Sequence, residues 1–499
     1  MAQITNLNGE FAPVEHPTPS LIGQITQEGP LLPPIERIPT EILDTIFTFI
    51  RESAEYSLTI NPSIDMSLFL SLSQVCSRWR IAILSQPNMW ASISIDTDYV
   101  EVECRNIVNA HLRNAGSHPL RIKLAAYPNF MSPRSTFGDN VLRMIFPELQ
   151  RCEEFTFSGR LSELAQVAPS KLYFTFPHLH SLTTDDCLSA LMDGIGLVPP
   201  TFCWFSRALK NAPKLATVAT PGIVSPQVLP CRQLTTIYGG ELEIAQLVLI
   251  LRSCPNLKNL VIEWIIPDPW PLNVIVHSSL QELSMHASRI HIAKIVRSLA
   301  HISFPALRML KLEIYHAVHE IQDDISPTSA VVQIIQHFSA SLRKLVLVAW
   351  SPDVYRTFCR DILPICPHLH CFAIEAHPSE YSEDDYDSGC ILHLIQSLTI
   401  TDTSQPFLAP KLTELCVHEY GTRMTVEYAA AFLDMVESRS AGIGVIRLTD
   451  AELKYSARQA RGDIQPELNH INDCITDCSI VGRIQQLSQK GIRCTIGSS

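Results

Sequence analysis

Cys254-Pro255-Asn256-Leu257-Lys258-Asn259-Leu260-Val261-Ile262-Glu263 is the stretch that decides the fold. Leu260 and Ile262 stand two residues apart, the period of a strand with one face turned inward. Pro255 favours a turn ahead of that strand, and Leu257 anchors the turn. The template Leu-x-x-Leu-x-Φ, with Φ apolar, returns at Phe176-Pro-His-Leu-His-Ser-Leu, Ser279-Leu-Gln-Glu-Leu-Ser-Met and Phe304-Pro-Ala-Leu-Arg-Met-Leu-Lys-Leu. It returns again at Ser341-Leu-Arg-Lys-Leu-Val-Leu, Cys366-Pro-His-Leu-His-Cys-Phe-Ala-Ile and Ala409-Pro-Lys-Leu-Thr-Glu-Leu-Cys-Val. The anchoring leucines are Leu179, Leu215, Leu234, Leu257, Leu280, Leu307, Leu342, Leu369 and Leu412, with weaker matches at Leu120 and Leu149. Their spacing is uneven, shortest from Leu215 to Leu234 and longest from Leu369 to Leu412.

Helical patterns fill many of the intervals. Ile292, Ile295, Val296 and Leu299 share one helical face, as do Val331, Ile334, Ile335 and Phe338, and Val426, Ala430, Leu433 and Val436. A strand followed by a helix, many times over, predicts an α/β fold. Its parallel strands stack side by side with helices outside, and each unit buries its apolar face against its neighbours. This irregular solenoid is expected over residues 91–499; an α/β domain with unrelated leucine-rich strands is the alternative. Ser92-Ile-Ser-Ile-Asp96 alternates and reads as the first strand. In this register Asp185, Tyr238, Glu263, Ser284, His286, Lys311, Glu313, Glu375 and His418 face outward on the concave surface. They mix charge with hydrogen-bonding capacity, as a surface that recognises a target protein would. For any one of them an ordinary wet face is the competing reading.

Upstream lies a different pattern. Ile38-Pro-Thr-Glu-Ile-Leu-Asp-Thr-Ile-Phe47 places Ile38, Ile42, Leu43, Ile46, Phe47 and Ile50 at helical spacing. Pro39 suits the first helical position, and Glu41 and Asp44 suit the positive end of the helix dipole. A second helix is expected through Leu68, Leu72, Val75, Cys76, Trp79 and Ile83, stopped by Pro87 ahead of Met89 and Trp90. Between them Arg51 to Asp65 is polar and is expected to loop out. Two short helices this apolar form either a packed hairpin or a docking site for another protein.

The order Pro-x-Glu-Ile-Leu-x-x-Ile-Phe, Val-Cys-x-x-Trp-Arg, Pro-x-x-Trp resembles the F-box. That resemblance covers residues 35–90, with the 51–65 insertion longer than the usual connection. It implies a helical module docking on a Skp-type adaptor of a cullin–RING ubiquitin ligase through Pro39, Ile42, Leu43, Ile46, Val75, Cys76 and Trp79. The downstream array resembles degenerate leucine-rich repeats, which F-box proteins often carry as substrate receptors. The consensus asparagine is mostly missing: Ile265, Tyr315, Trp350 and Tyr420 stand at that offset, and Cys187 alone fits the accepted cysteine. Together the resemblances imply a substrate-recognition subunit of an SCF-type ligase that performs no bond chemistry. The alternatives are a non-catalytic interaction scaffold and an enzyme of unrecognised class.

Bulk properties point the same way. The net charge of −12 disfavours a general nucleic-acid binder and gives no attraction to an anionic membrane. No apolar run approaches the ~20 residues that span a bilayer, and the start of the sequence carries no signal-peptide pattern. The 15 cysteines are scattered without framework spacing, which suggests reduced thiols and a cytoplasmic or nuclear setting. Residues 1–34, rich in Pro, Gly, Gln and Thr, read as disordered.

No P-loop, Gly-x-Ser-x-Gly elbow or His-Glu-x-x-His helix is present, and Gly442-x-Gly444 reads as a turn. Neither cofactor nor metal is expected. His470, Cys474 and Cys478 share a helical face but lack a fourth ligand, so packing explains them, and His368, His370 and Cys371 read as structural. The acidic run Glu383-Asp-Asp-Tyr-Asp387 is either a solvated loop or a contact for a basic partner. Trp264, Trp270 and Trp350 either cap the core edge or anchor a ligand.

Overall fold

The Cys-Pro-Asn-Leu motif folds as a tight turn. In the computed structural model the Leu257 amide donates to the Cys254 carbonyl at 3.1 Å. The same bond closes at Leu307 to Phe304 (3.1 Å), Leu369 to Cys366 (3.2 Å) and Leu412 to Ala409 (3.1 Å). Proline at the second position presets the backbone angle that such a turn needs. The anchoring leucines from Leu179 to Leu412 all end with no exposed surface.

Each turn is then fastened to the previous one. The Lys258 carbonyl accepts both the Gln281 and Glu282 amides, at 2.8 and 2.9 Å. The Gln281 carbonyl does the same for Arg308 and Met309, Arg308 for Arg343 and Lys344, and Arg343 for His370 and Cys371. The pattern continues through His370 and Thr413. This repeated two-amide bond fixes the register before the strands begin.

The structure describes residues 37–61, 64–97, 100, 104–126, 136–159, 175–185, 203–221, 228–266, 274–288, 291–315, 327–349, 361–376, 389–400, 408–420, 426–441, 446–456 and 478–498. Among these, sixteen strands form one sheet that runs in chain order from Leu58–Asn61 and Ser92–Asp96 to Asp450–Ser456 and Arg493–Ser498. Every pairing is parallel except that of Leu58–Asn61 with Ile64–Ser67 at the first edge. A separate two-stranded sheet joins Ile275–Val276 to Ile302–Ser303. The predicted parallel α/β architecture is therefore present.

Two inward rows make the core. Leu260, Leu283, Leu310, Leu345, Phe372 and Leu415 are in register, as are Met285, Leu312, Leu347, Ile374, Val417 and Leu453. All are buried and belong to one continuous apolar cluster that includes the inner faces of the helices. Ile292, Ile295, Val296 and Leu299 pack as predicted, as do Val331, Ile334, Ile335 and Phe338. In the Val426–Ala441 helix the buried face is turned from the predicted one. Val426 is exposed and Ala430 only half-buried, while Tyr428, Ala429, Phe432 and Met435 join Leu433 and Val436 inside. Arg439, 1% exposed, lies on this same buried face. It donates to Leu398 at 3.0 Å, to Ala409 at 3.2 Å and to Leu408. Burial pushes its pKa down to about 10, which still leaves it cationic at neutral pH.

The N-terminal segment departs from expectation in three ways. Pro39 lies one residue before the Thr40–Ser53 helix, where its carbonyl accepts the Ile42 and Leu43 amides. The expected second helix is two, Leu68–Ser73 and Ser77–Leu84, broken at Val75 and Cys76, where Cys76 is extended. The 51–65 insertion is not a loop. Leu58 and Ile60 alternate with Thr59 and Asn61, and this two-residue period forms a strand beside Ser92–Asp96. The unpaired edge of that first strand is what recruits it. Leu58 and Ile60 are buried, and Trp90 packs against Phe69 and His111 in the shared core. Among the described residues, strand Leu58–Asn61 and the core around Trp90 thus join the N-terminal helices to the sheet. Residues 1–34 lie outside the described residues. Among those described, no helix is long and apolar enough to cross a membrane.

Three outcomes test this account. Leu310→Ala should cost ~2–5 kcal/mol in chemical denaturation, because it opens a cavity in the central row, whereas Ser284→Ala on the adjacent strand stays within ~0.5 kcal/mol. Arg439→Leu should cost about 2–4 kcal/mol by orphaning buried carbonyls. His111 is buried beside the Ser67 hydroxyl at 2.8 Å, and burial pulls its pKa down to about 4. The unfolded chain therefore binds the extra proton, and stability is full above about pH 6.5 and falls toward pH 4. Denaturation at pH 7.5 and 4.5 should differ by on the order of 2 kcal/mol from this group, and the difference should vanish in His111→Leu.

Candidate interaction surfaces

Among the described residues, the helices and the inward rows share one buried core, and most side chains on the other face of the sheet, the open face, keep some exposure. Side chains on the open face stack in rows by the same register that builds the core. Ser284, Lys311, Val346, Ala373, Cys416 and Glu452 form one row, and His286, Glu313, Val348, Glu375, His418 and Lys454 the next. Adjacent members are one strand spacing apart, about 4.8 Å, so polar residues here touch across strands.

Two charged groups result. In the first, Glu313 accepts His286 Nε2 at 3.0 Å and faces Lys311 Nζ at 3.6 Å. In the second, Glu452 Oε1 holds Lys454 Nζ at 2.9 Å, while its Oε2 lies 3.2 Å from Cys416 Sγ and 3.6 Å from His418 Nε2. Cys416 Sγ is also 3.3 Å from His418 Nε2. Burial, and secondarily the Glu452 carboxylate, pushes the Cys416 thiol up to about 12. Burial alone would raise Glu452, but hydrogen bonds from Lys454 and Cys416 and the charge of His418 bring its pKa below the ordinary value. Val346 and Val348 are buried between the two groups although they lie on the open face.

The predicted surface residues are placed as follows. His286, Lys311 and Glu313 are brought together, and Glu375 is in register with His418. Asp185, Tyr238 and Glu263 lie further along the face, all exposed. Asp185 accepts the Gly159 amide at 2.7 Å, so it also fixes a strand end. Cys416, Glu452 and Lys454 were not foreseen. Leu448-x-x-Ala451-x-Leu453 is a repeat in which alanine replaces the second leucine, and this hid the strand that carries Glu452 and Lys454. Trp264 is at the border of exposure, at 36%. Lys411 Nζ meets His368 Nδ1 at 3.0 Å, and His370 turns to the His368 carbonyl, in keeping with structural roles. Trp270, Trp350, Cys187, residues 383–387, His470, Cys474 and the Gly442–Gly444 turn lie outside the described residues. None of the nine cysteines whose side chains are described is joined in a disulfide.

The helices of the N-terminal segment present the second surface. Leu43 and Phe47 have no exposed area, so Leu43 is a core residue and not the expected contact. Its spacing put it on the apolar face, but the Ser77–Leu84 helix covers that side. Phe47 meets Trp79 edge-on at 5.2 Å, and Trp90 Nε1 donates to the Ile83 carbonyl at 3.0 Å. Ile46, Cys76 and Trp79 are half-buried; Pro39, Ile42 and Val75 are exposed. Phe49, Ile81 and Leu84 were missed, yet they are 70%, 69% and 46% exposed. Ile42, Ile46 and Phe49 follow one another at helical spacing and make an apolar stripe on the first helix.

No family model matches this chain, and no curated protein matches it either.

The open face yields a chemical prediction. With metal chelated, Cys416 should alkylate more slowly than a solvent thiol at pH 7.5, read by peptide mass spectrometry. Glu452→Gln removes a carboxylate that raises the thiol pKa, so labelling should speed up by severalfold, tenfold for each unit regained.

Proposed function

We propose that this chain is the substrate-recognition subunit of an SCF-type ubiquitin ligase, with an F-box-like module at residues 35–90 and a leucine-rich-repeat-like array behind it. It works in the cytoplasm or nucleus and performs no bond chemistry. The observation that carries this reading is the apolar surface left outside on the N-terminal helices: Ile42, Phe49, Val75, Ile81 and Leu84 stay exposed while Leu43, Phe47, Ile83 and Trp90 fill the core beneath. Exposed large apolar side chains on paired helices suit a helical partner groove. The F-box-like residue order at this place names the partner as a Skp-type adaptor, with the cullin beyond it. The open face, lined by His286, Lys311, Glu313, Glu375 and His418, supplies mixed charge for a target protein. Tethering then raises the target's effective concentration at the ligase.

The burial of Leu43 and the union of strand Leu58–Asn61 with the sheet favour a second reading, an interaction scaffold whose helical segment serves its own core. Co-expression of the full chain with a Skp-type adaptor and cullin separates the two. Under the ligase reading the adaptor co-elutes on gel filtration, and Ile42→Asp with Ile81→Asp abolishes that while the thermal midpoint shifts little. Leu43→Asp is unsuitable as a probe, since it charges the core. An adaptor that never co-elutes with the folded wild type leaves the scaffold.

A further inference from the structure

We infer that Cys416, His418 and Glu452 form a binding site for one zinc-type divalent ion on the open face. The inference stands apart from the proposed ligase role. Strand alternation puts Cys416 and His418 on the same face, two residues apart, and the parallel register brings Glu452 directly opposite Cys416. Their donor atoms all lie within 4.8 Å of one another.

The shape of the triangle is informative. Sγ to Nε2 is 3.3 Å, Sγ to Oε2 is 3.2 Å, and Nε2 to Oε2 is 3.6 Å. Three ligands on one face of a tetrahedral zinc are separated by about 3.3–3.6 Å, given ordinary zinc bond lengths. The donors therefore need to move by only a few tenths of an ångström to take the ion. A thiolate, an imidazole and a carboxylate are a zinc donor set, too soft for magnesium or calcium.

The surroundings suit an ion as well. Thiolate and carboxylate together neutralise a dication. Glu452 binds through Oε2, and Lys454 holds Oε1, the kind of outer contact that orients a ligating carboxylate. Glu375 is in register with His418 on the next strand. The fourth corner falls to water or to a side chain from a bound protein. Binding displaces the Cys416 proton to solvent. The charged and titratable groups that face the thiol are His418, Glu452, Lys454 and Glu375.

The test uses the full chain stripped with chelator and then titrated with Co²⁺ and Zn²⁺. One equivalent of Co²⁺ should give intense tetrahedral visible bands and a thiolate-to-cobalt charge-transfer band, both lost on adding Zn²⁺. Cys416→Ser should remove the charge-transfer band, while Cys371→Ser, on the neighbouring strand, keeps it. His418→Ala and Glu452→Gln should each weaken Zn²⁺ binding at least about tenfold, with melting curves confirming that the variants fold. Calorimetry in two buffers should report release of about one proton per Zn²⁺. Absence of the cobalt–sulfur band at saturating Co²⁺ overturns the site, as does its persistence in Cys416→Ser.

Discussion

No strand of this sheet can bury its apolar row alone, and that constraint organises the molecule. A Leu-x-Φ segment shelters two or three side chains on one face only, so it is stable between neighbours of the same kind. The tight turn that opens most of the repeats and the carbonyl that accepts two amides from the next are the means of stacking. Together they place each strand before its side chains meet. Loop length between repeats is then free to vary, because the register is fixed at the turn and not by the connection.

The same stacking writes the open face. Residues at one repeat position become neighbours across strands, so a histidine, a glutamate and a lysine from distant sequence meet as a pair or triad. The charged groups around Glu313 and Glu452 arise this way, and Val346 and Val348 divide them. At the N-terminal end the constraint works in reverse. The sheet would begin with a bare edge at Ser92–Asp96, and the Leu58–Asn61 and Ile64–Ser67 pair covers it. The helices beside that pair share its core and keep several large apolar residues outside.

Legibility in the sequence followed the chemistry of each signal. The turns with Pro ahead of Leu were readable because proline and the leading leucine are both demanded by one local conformation. The Ile292–Leu299 and Pro327–Phe338 helices were readable from spacing. The strand at Asp450–Ser456 was not, since Ala451 fills the space that leucine fills elsewhere. The 51–65 insertion misled because its polar residues outnumber Leu58 and Ile60, whose alternation over so few positions is weak evidence in isolation. Leu43 misled because an apolar helical face shows that something is covered, without showing by what.

The sequence alone determined the repeat, the parallel α/β class and the outward parity of His286, Lys311, Glu313, Glu375 and His418, since turn chemistry and two-residue alternation are local properties. Only the tertiary structure decided that Leu43 lies inside and Ile81 outside, that the insertion completes a sheet edge, and that Glu452 faces Cys416 and His418. Those facts depend on which segments become neighbours, and pairing between strands separated by long connections is set by packing across the whole sheet.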